Sequence, residues 1–179
     1  VKVEGVDLQV LQVGQSSPLT HGQDRHERML QHAEFDVCEL SLSSYLIARS
    51  RGMAFTAIPV FPRRLFSLSQ IWINKNAGIS SPKDLVGKKV GLSTFQTTLS
   101  VLAKGDLESE YDVPWRALEW YISKDEAVPL KPIEGVRMQL LKRGQKIGAM
   151  LEKGQIDAVM VPHPPVEALR GGGNIGRLF

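Results

Sequence analysis

The chain has 179 residues, 42% of them apolar and 23% charged, with a net charge of +3, so it has room for one large domain or two small lobes. Its basic pairs, Arg63-Arg64, Lys88-Lys89 and Lys142-Arg143, are scattered among acids, which leaves no basic stripe for nucleic acid. No run approaches the ~18 consecutive apolar residues that a membrane span requires, and the single cysteine, Cys38, excludes an intrachain disulfide and a cysteine-based zinc site.

Taken in chain order, residues 6–13 alternate as a strand and residues 14–22 form a polar, turn-rich loop. Met29, Leu30 and Ala33 mark a helix from residue 25. Residues 35–40 read as a short apolar strand in which Cys38 is a buried, inert thiol. Ser41 caps a helix carrying Leu42, Tyr45, Leu46 and Arg49, and Gly52 stops it. Residues 55–60 read as a buried strand closed by Pro59 and Pro62.

The second half repeats this order. Residues 70–74 are a strand, and Ser81-Pro82-Lys83-Asp84 is a helix start with its cap, its proline and its acid at the right spacing. Residues 89–93 are a strand, followed by a helix with Phe95, Thr98, Leu99, Leu102 and Ala103 that reaches about residue 110 before Pro114. Leu118, Trp120 and Ile122 alternate as a strand, with Trp72 and Trp120 in the core. Ile147, Met150 and Leu151 form a short helix ended by Gly154, and residues 156–161 are a strand. The alternation argues for an α/β fold with mostly parallel sheets flanked by helices. The expected division is residues 1–65 as part of a first lobe, 66–170 as a second lobe, and 171–179 as a tail or the start of a return to the first.

In open α/β sheets ligands bind beyond the carboxyl ends of the strands, and four such ends are polar here. Glu39 precedes Ser41, Ser43 and Ser44 at a helix start, where free N–H groups favour an anion. Glu39 is read as a pocket acid or as a partner for Arg63, and plain capping is the competing role of each serine. Arg63 and Arg64 follow a strand end and can hold a carboxylate through paired N–H bonds. Ser93, Thr94, Thr97 and Thr98 surround a strand-to-helix turn that suits an oxyanion but lacks the glycines and lysine of a phosphate loop. His163 is held between Pro162 and Pro164, where it can act as acid, base or donor. His21, His26 and His32 have no zinc spacing and read as solvated.

Residues 35–41, 93–98 and 157–162 together resemble the type II periplasmic-binding-protein fold. Residues 70–75, 90–94 and 125–129 and the Pro162-His163-Pro164-Pro165 segment more closely resemble 4,5-dihydroxyphthalate decarboxylase and its relatives. The resemblance covers nearly the whole chain. It implies two lobes, a strand before residue 1 and a return into the first lobe after residue 179, so the sequence is expected to be part of a longer chain. It also implies loss of CO2 from 4,5-dihydroxyphthalate to give protocatechuate. His163 is then the first choice for the acid and Glu39 the second. Arg63, Arg64, Ser41, Ser43, Ser93, Thr94, Thr97 and Thr98 would hold the carboxylates.

No cofactor is expected; a divalent metal held by His163, Glu39 and the catechol oxygens is a lesser option. The competing function is a non-catalytic solute-binding protein that closes on a small organic anion for an ABC permease or a sensor. The enzyme reading implies a cytoplasmic protein and the binding reading a periplasmic one; a homo-oligomer fits either. An enzyme of thiamine-precursor synthesis is disfavoured, because no His- and Cys-rich signature is present.

Overall fold

The computed structural model describes residues 4–11, 24–170 and 173–179. Residues 14–22 with His21, the end of the 6–13 run, and Gly171 and Gly172 lie outside the described residues. The chain divides into two compact units, residues 1–40 and 41–179.

In the first unit α1 (Arg25–His32) starts at Asp24, whose carboxylate accepts from the backbone of His26 and Glu27 while the Glu27 side chain accepts from Asp24 N–H. This reciprocal cap satisfies amides that the first turn leaves open. Arg28 grips Glu34 through two nitrogens, one at 2.6 Å, and Arg25 pairs with Glu39 at 2.7 Å. The strands expected over residues 6–13 and 35–40 are not formed in the described part. Val6, Leu8, Val10 and Leu11 are all more than half exposed, and Val37 is 80% exposed. Cys38 is half-buried, and burial pushes its thiol above the ordinary value.

In the second unit α2 (Leu42–Ser50) ends at Gly52, which takes a φ of +75°. The chain from residue 53 to residue 66 then runs without regular structure and is largely exposed. The strand expected over residues 55–60 is absent, since no neighbouring strand offers it hydrogen bonds and Pro59 and Pro62 have no N–H to give.

Everything after that run packs on one six-stranded sheet. Its strands are β1 (Ile71–Asn74), β2 (Lys89–Leu92), β3 (Glu119–Ile122), β4 (Arg137–Leu140), β5 (Ala158–Met160) and β6 (Ile175–Arg177). They lie in the order β4-β3-β2-β5-β1-β6. The pairs β4–β3, β3–β2 and β2–β5 are parallel, and β1 is antiparallel to both β5 and β6. Residues 175–177, read from sequence as tail, thus form an edge strand, and β4 forms the other edge.

Side chains alternate across the sheet as strand geometry demands. Ile71, Ile73, Val90, Leu92, Trp120, Ile122, Ala158 and Met160 share one core with Ala103 and Leu107 of α3 (Thr98–Tyr111). Trp72 and Val159 join the opposite core with Met150 and Leu151 of α4 (Ile147–Glu152). Helices therefore cover both faces. Gly91 sits where a Cβ would come within 2.9 Å of Ile156 and 3.0 Å of Val159. The Ser81 start is a 3-10 turn, Pro82–Leu85, closed by the expected box with Asp84. Backbone and hydroxyl donors from Ser80 and Ser81 hold the Asp84 carboxyl down to about 2.

Candidate functional site

The starts of α2 and α3 meet. Thr98 follows β2 at the carboxyl edge of the parallel strands, and Ser41 precedes α2. Ser41 Oγ accepts from Thr98 N–H at 3.0 Å, and Thr98 Oγ1 accepts from Ser43 N–H at 3.2 Å. Each helix is thus capped by a hydroxyl of the other. Ser41 Oγ and Thr98 Oγ1 lie 3.0 Å apart, and Ser43 Oγ donates to the Gln96 carbonyl.

Open amides are the expectation from sequence at these two starts. The structure corrects this: the Ser43 and Thr98 amides are already taken by hydroxyls. What the cluster retains is a proton. Of the three hydroxyl hydrogens one goes to Gln96 and one lies between Ser41 and Thr98. The third has only the 3.4 Å contacts of Ser43 with Ser41 and Thr98 inside the cluster. A hydroxyl rotates freely to a better acceptor, and a carboxylate oxygen is one.

The turn beside the cluster is held by hydrogen bonds at several of its polar atoms. Thr94 O accepts from Ser100 Oγ at 2.8 Å. Phe95 and Gln96 N–H donate to Glu126 at 2.5 and 3.2 Å. Phe95 O accepts from Lys104 Nζ at 3.0 Å. The Gln96 carboxamide pairs with Val128, donating to its carbonyl at 2.6 Å and accepting from its N–H at 3.3 Å. Glu126 and Lys104 were missed in the sequence. Glu126 reaches the turn only through tertiary structure, whereas Lys104 carries a signal, since Ser100, Ala103, Lys104 and Leu107 share the buried face of α3.

Of the residues chosen from sequence, the fold brings together Ser41, Ser43 and Thr98. Thr97 caps its own helix at Ser100, Ser93 lends its carbonyl to Lys124 N–H at 2.9 Å, and the Thr94 side chain is buried. Arg63 and Arg64 are exposed on the run before β1 and ion-pair with no other described residue. Glu39 belongs to the pair with Arg25 and not to Arg63, because Arg25 opens the adjacent helix in the same unit. His163 is exposed in the turn that follows β5.

Two open hollows lie in the second unit, one of them lined in part by Glu126. One of about 230 Å³ is lined by Asn74, Glu152, Asp157 and Asn174 at the amino end of β5; one of about 310 Å³ is lined by Ile122, Lys124, Lys131 and Met138 at the carboxyl ends of β3 and β4. Among the described residues no three His, Cys, Asp or Glu side chains gather to hold a metal, and no helix is long and apolar enough to cross a membrane.

Residues 2–107 match the family described as NMT1/THI5 like. The chain belongs to that family. Its mixed α/β architecture, with a mostly parallel six-stranded sheet covered by helices, fits the type II periplasmic-binding-protein-like fold. Within the curated proteins it is 34% identical to a 4,5-dihydroxyphthalate decarboxylase of Comamonas testosteroni and 31% identical to one of Pseudomonas putida. Both alignments take in 100% of this chain, but 54% of the first relative and 69% of the second. The chain thus spans about half the length of the Comamonas protein, and it is a 4,5-dihydroxyphthalate decarboxylase-like member of the family.

Proposed function

We propose that the chain carries part of a carboxy-lyase that removes CO2 from a dihydroxylated aromatic dicarboxylate, converting 4,5-dihydroxyphthalate to protocatechuate. The observation that carries this reading is the match of the whole chain to two relatives so named. The geometry adds a rotatable hydroxyl donor at the carboxyl edge of a parallel sheet, on a turn fixed before any ligand arrives.

In this reading the Ser41–Ser43–Thr98 cluster receives one carboxylate, with Thr97, Ser93 and Thr94 shaping the turn and Arg63 or Arg64 closing on the other. A ring hydroxyl pushes electrons toward the carbon that bears the departing carboxylate. An acid, assigned to His163, protonates that carbon. The bond to the carboxyl carbon then breaks, its electron pair returns to the ring, and CO2 leaves with one proton in its place. The departing carboxylate is held less firmly than the retained one, because a tight grip would favour the ground state. The reading calls for no cofactor.

A second reading, a binding protein for a small organic anion, is supported by the match to the NMT1/THI5 like family, and in it the exposed His163 need not act as an acid.

Mixing the full-length protein with 4,5-dihydroxyphthalate and following CO2 and protocatechuate separates the two. Binding without turnover over hours rejects the lyase and keeps the binding protein; neither binding nor turnover rejects both. His163→Ala is expected to abolish turnover with little loss of affinity, and unchanged turnover removes His163 from the mechanism. Thr98→Val is expected to weaken binding by about tenfold, the worth of one hydrogen bond to a charged group, as measured by calorimetry.

A further inference from the structure

Lys104 lies on the buried face of α3, only 7% exposed. Its Nζ donates to Phe95 O at 3.0 Å and stands 3.0 Å from the centre of the Phe95 ring, with the Trp115 and Trp120 rings 5.6 and 5.7 Å away. From the other side of the same residue Glu126 accepts the Phe95 and Gln96 amides at 2.5 and 3.2 Å. One peptide segment is thus held at its carbonyl by a buried cation and at its amides by an anion. The next carbonyl, that of Gln96, receives Ser43 of the hydroxyl cluster.

A buried lysine is costly, and Phe95 O could be satisfied by a neutral donor. The ring faces around the ammonium are the environment that a desolvated cation prefers.

We infer that Lys104 and Glu126 are a pair of positioning residues that fix the 94–98 turn from its two sides, and that the proton on Lys104 sets how firmly the site holds an anion. The second half rests on the anion-binding reading above.

Burial pushes the Lys104 ammonium down to about 7, with Glu126 acting in the opposite direction. Below that value the carbonyl bond is charge-assisted and the ammonium offsets the charge of Glu126 on the same turn; above it the carboxylate stands alone and opposes an anion. The elements packed on α3 also bring Arg49, Lys83, Asp84 and Arg116, but Glu126 is the charge that bears on Lys104. Arg116 lies against the Trp115 ring at 4.4 Å.

The test follows the backbone amides of Phe95 and Gln96 by NMR from roughly pH 5 to roughly pH 9, across the Lys104 titration. Both are expected to shift with a midpoint near 7. Lys104→Met removes the transition, and Glu126→Gln lowers its midpoint, because it deletes the charge that favours the ammonium. Amides that do not respond to pH, or a midpoint that survives Lys104→Met, would overturn the pair. Should Lys104→Met fail to fold, the downward shift in Glu126→Gln decides.

In parallel, affinity for phthalate, an unreactive dianion above roughly pH 6, is expected to fall about tenfold from there to roughly pH 9 and to be flat in Lys104→Met. Titrating amides with a flat affinity overturn the link to ligand. Absence of phthalate binding at every pH sinks the anion-binding reading itself, while the amide titration still decides the pair.

Discussion

Two apolar runs of similar make-up meet opposite ends in this fold. Residues 55–60 hold Phe55, Ile58 and Val60; residues 156–161 hold Ile156, Val159, Met160 and Val161. Ile58 and Val60 are each 63% exposed, whereas Val159 is fully buried and Met160 is 1% exposed. The difference does not lie in propensity. β5 has β2 on one side and β1 on the other, and both its faces are covered by helices. The earlier run has no strand beside it among the described residues. A strand is made by its neighbours as much as by its own side chains.

Substitutions can widen or erase that contrast. Trp120→Ala, in the sheet core, should cost about 3–5 kcal/mol, read as a lower urea midpoint. A loss below about 1 kcal/mol would mean that the sheet does not depend on this core. Gly91→Ala forces a methyl group against Ile156 and Val159 and should cost about 1–3 kcal/mol, seen in the same measurement. Ile58→Ser should change stability by no more than about 0.5 kcal/mol. A large loss there would show that residues 55–60 are buried in solution after all, and the comparison would fail.

The same contrast explains how far the sequence could be read. Signals that act within a few residues were legible. The Ser81–Asp84 box, Gly52 and Gly154 as stops, and the alternation of Leu118, Trp120 and Ile122 all stand in the structure. Signals that need a distant partner were not. The 35–40 and 55–60 runs look like strands and form none, nor do residues 7–11 of the 6–13 run, while β4, whose Met138 and Leu140 alternate with Arg137 and Gln139 over only four residues, was not read as a strand and is one beside β3. β6 follows a glycine run that reads as a tail.

The site divides in the same way. Ser41, Ser43 and Thr98 were chosen as hydroxyls at helix starts, and the fold joins them. That they cap one another instead of presenting bare amides depends on a meeting of two helices that no local pattern encodes. Glu126, thirty positions from the turn it holds, is invisible for the same reason.

The carboxamide of Gln96 has a consequence for anyone altering this protein. By donating to and accepting from Val128 it imitates one rung of a ladder, so a side chain does the work of a missing strand. Glutamate at this position has no hydrogen to give to the Val128 carbonyl, and asparagine is one methylene too short to span the gap. Residue 96 is therefore the splice that ties the 125–129 segment to the sheet, and it accepts no ready replacement.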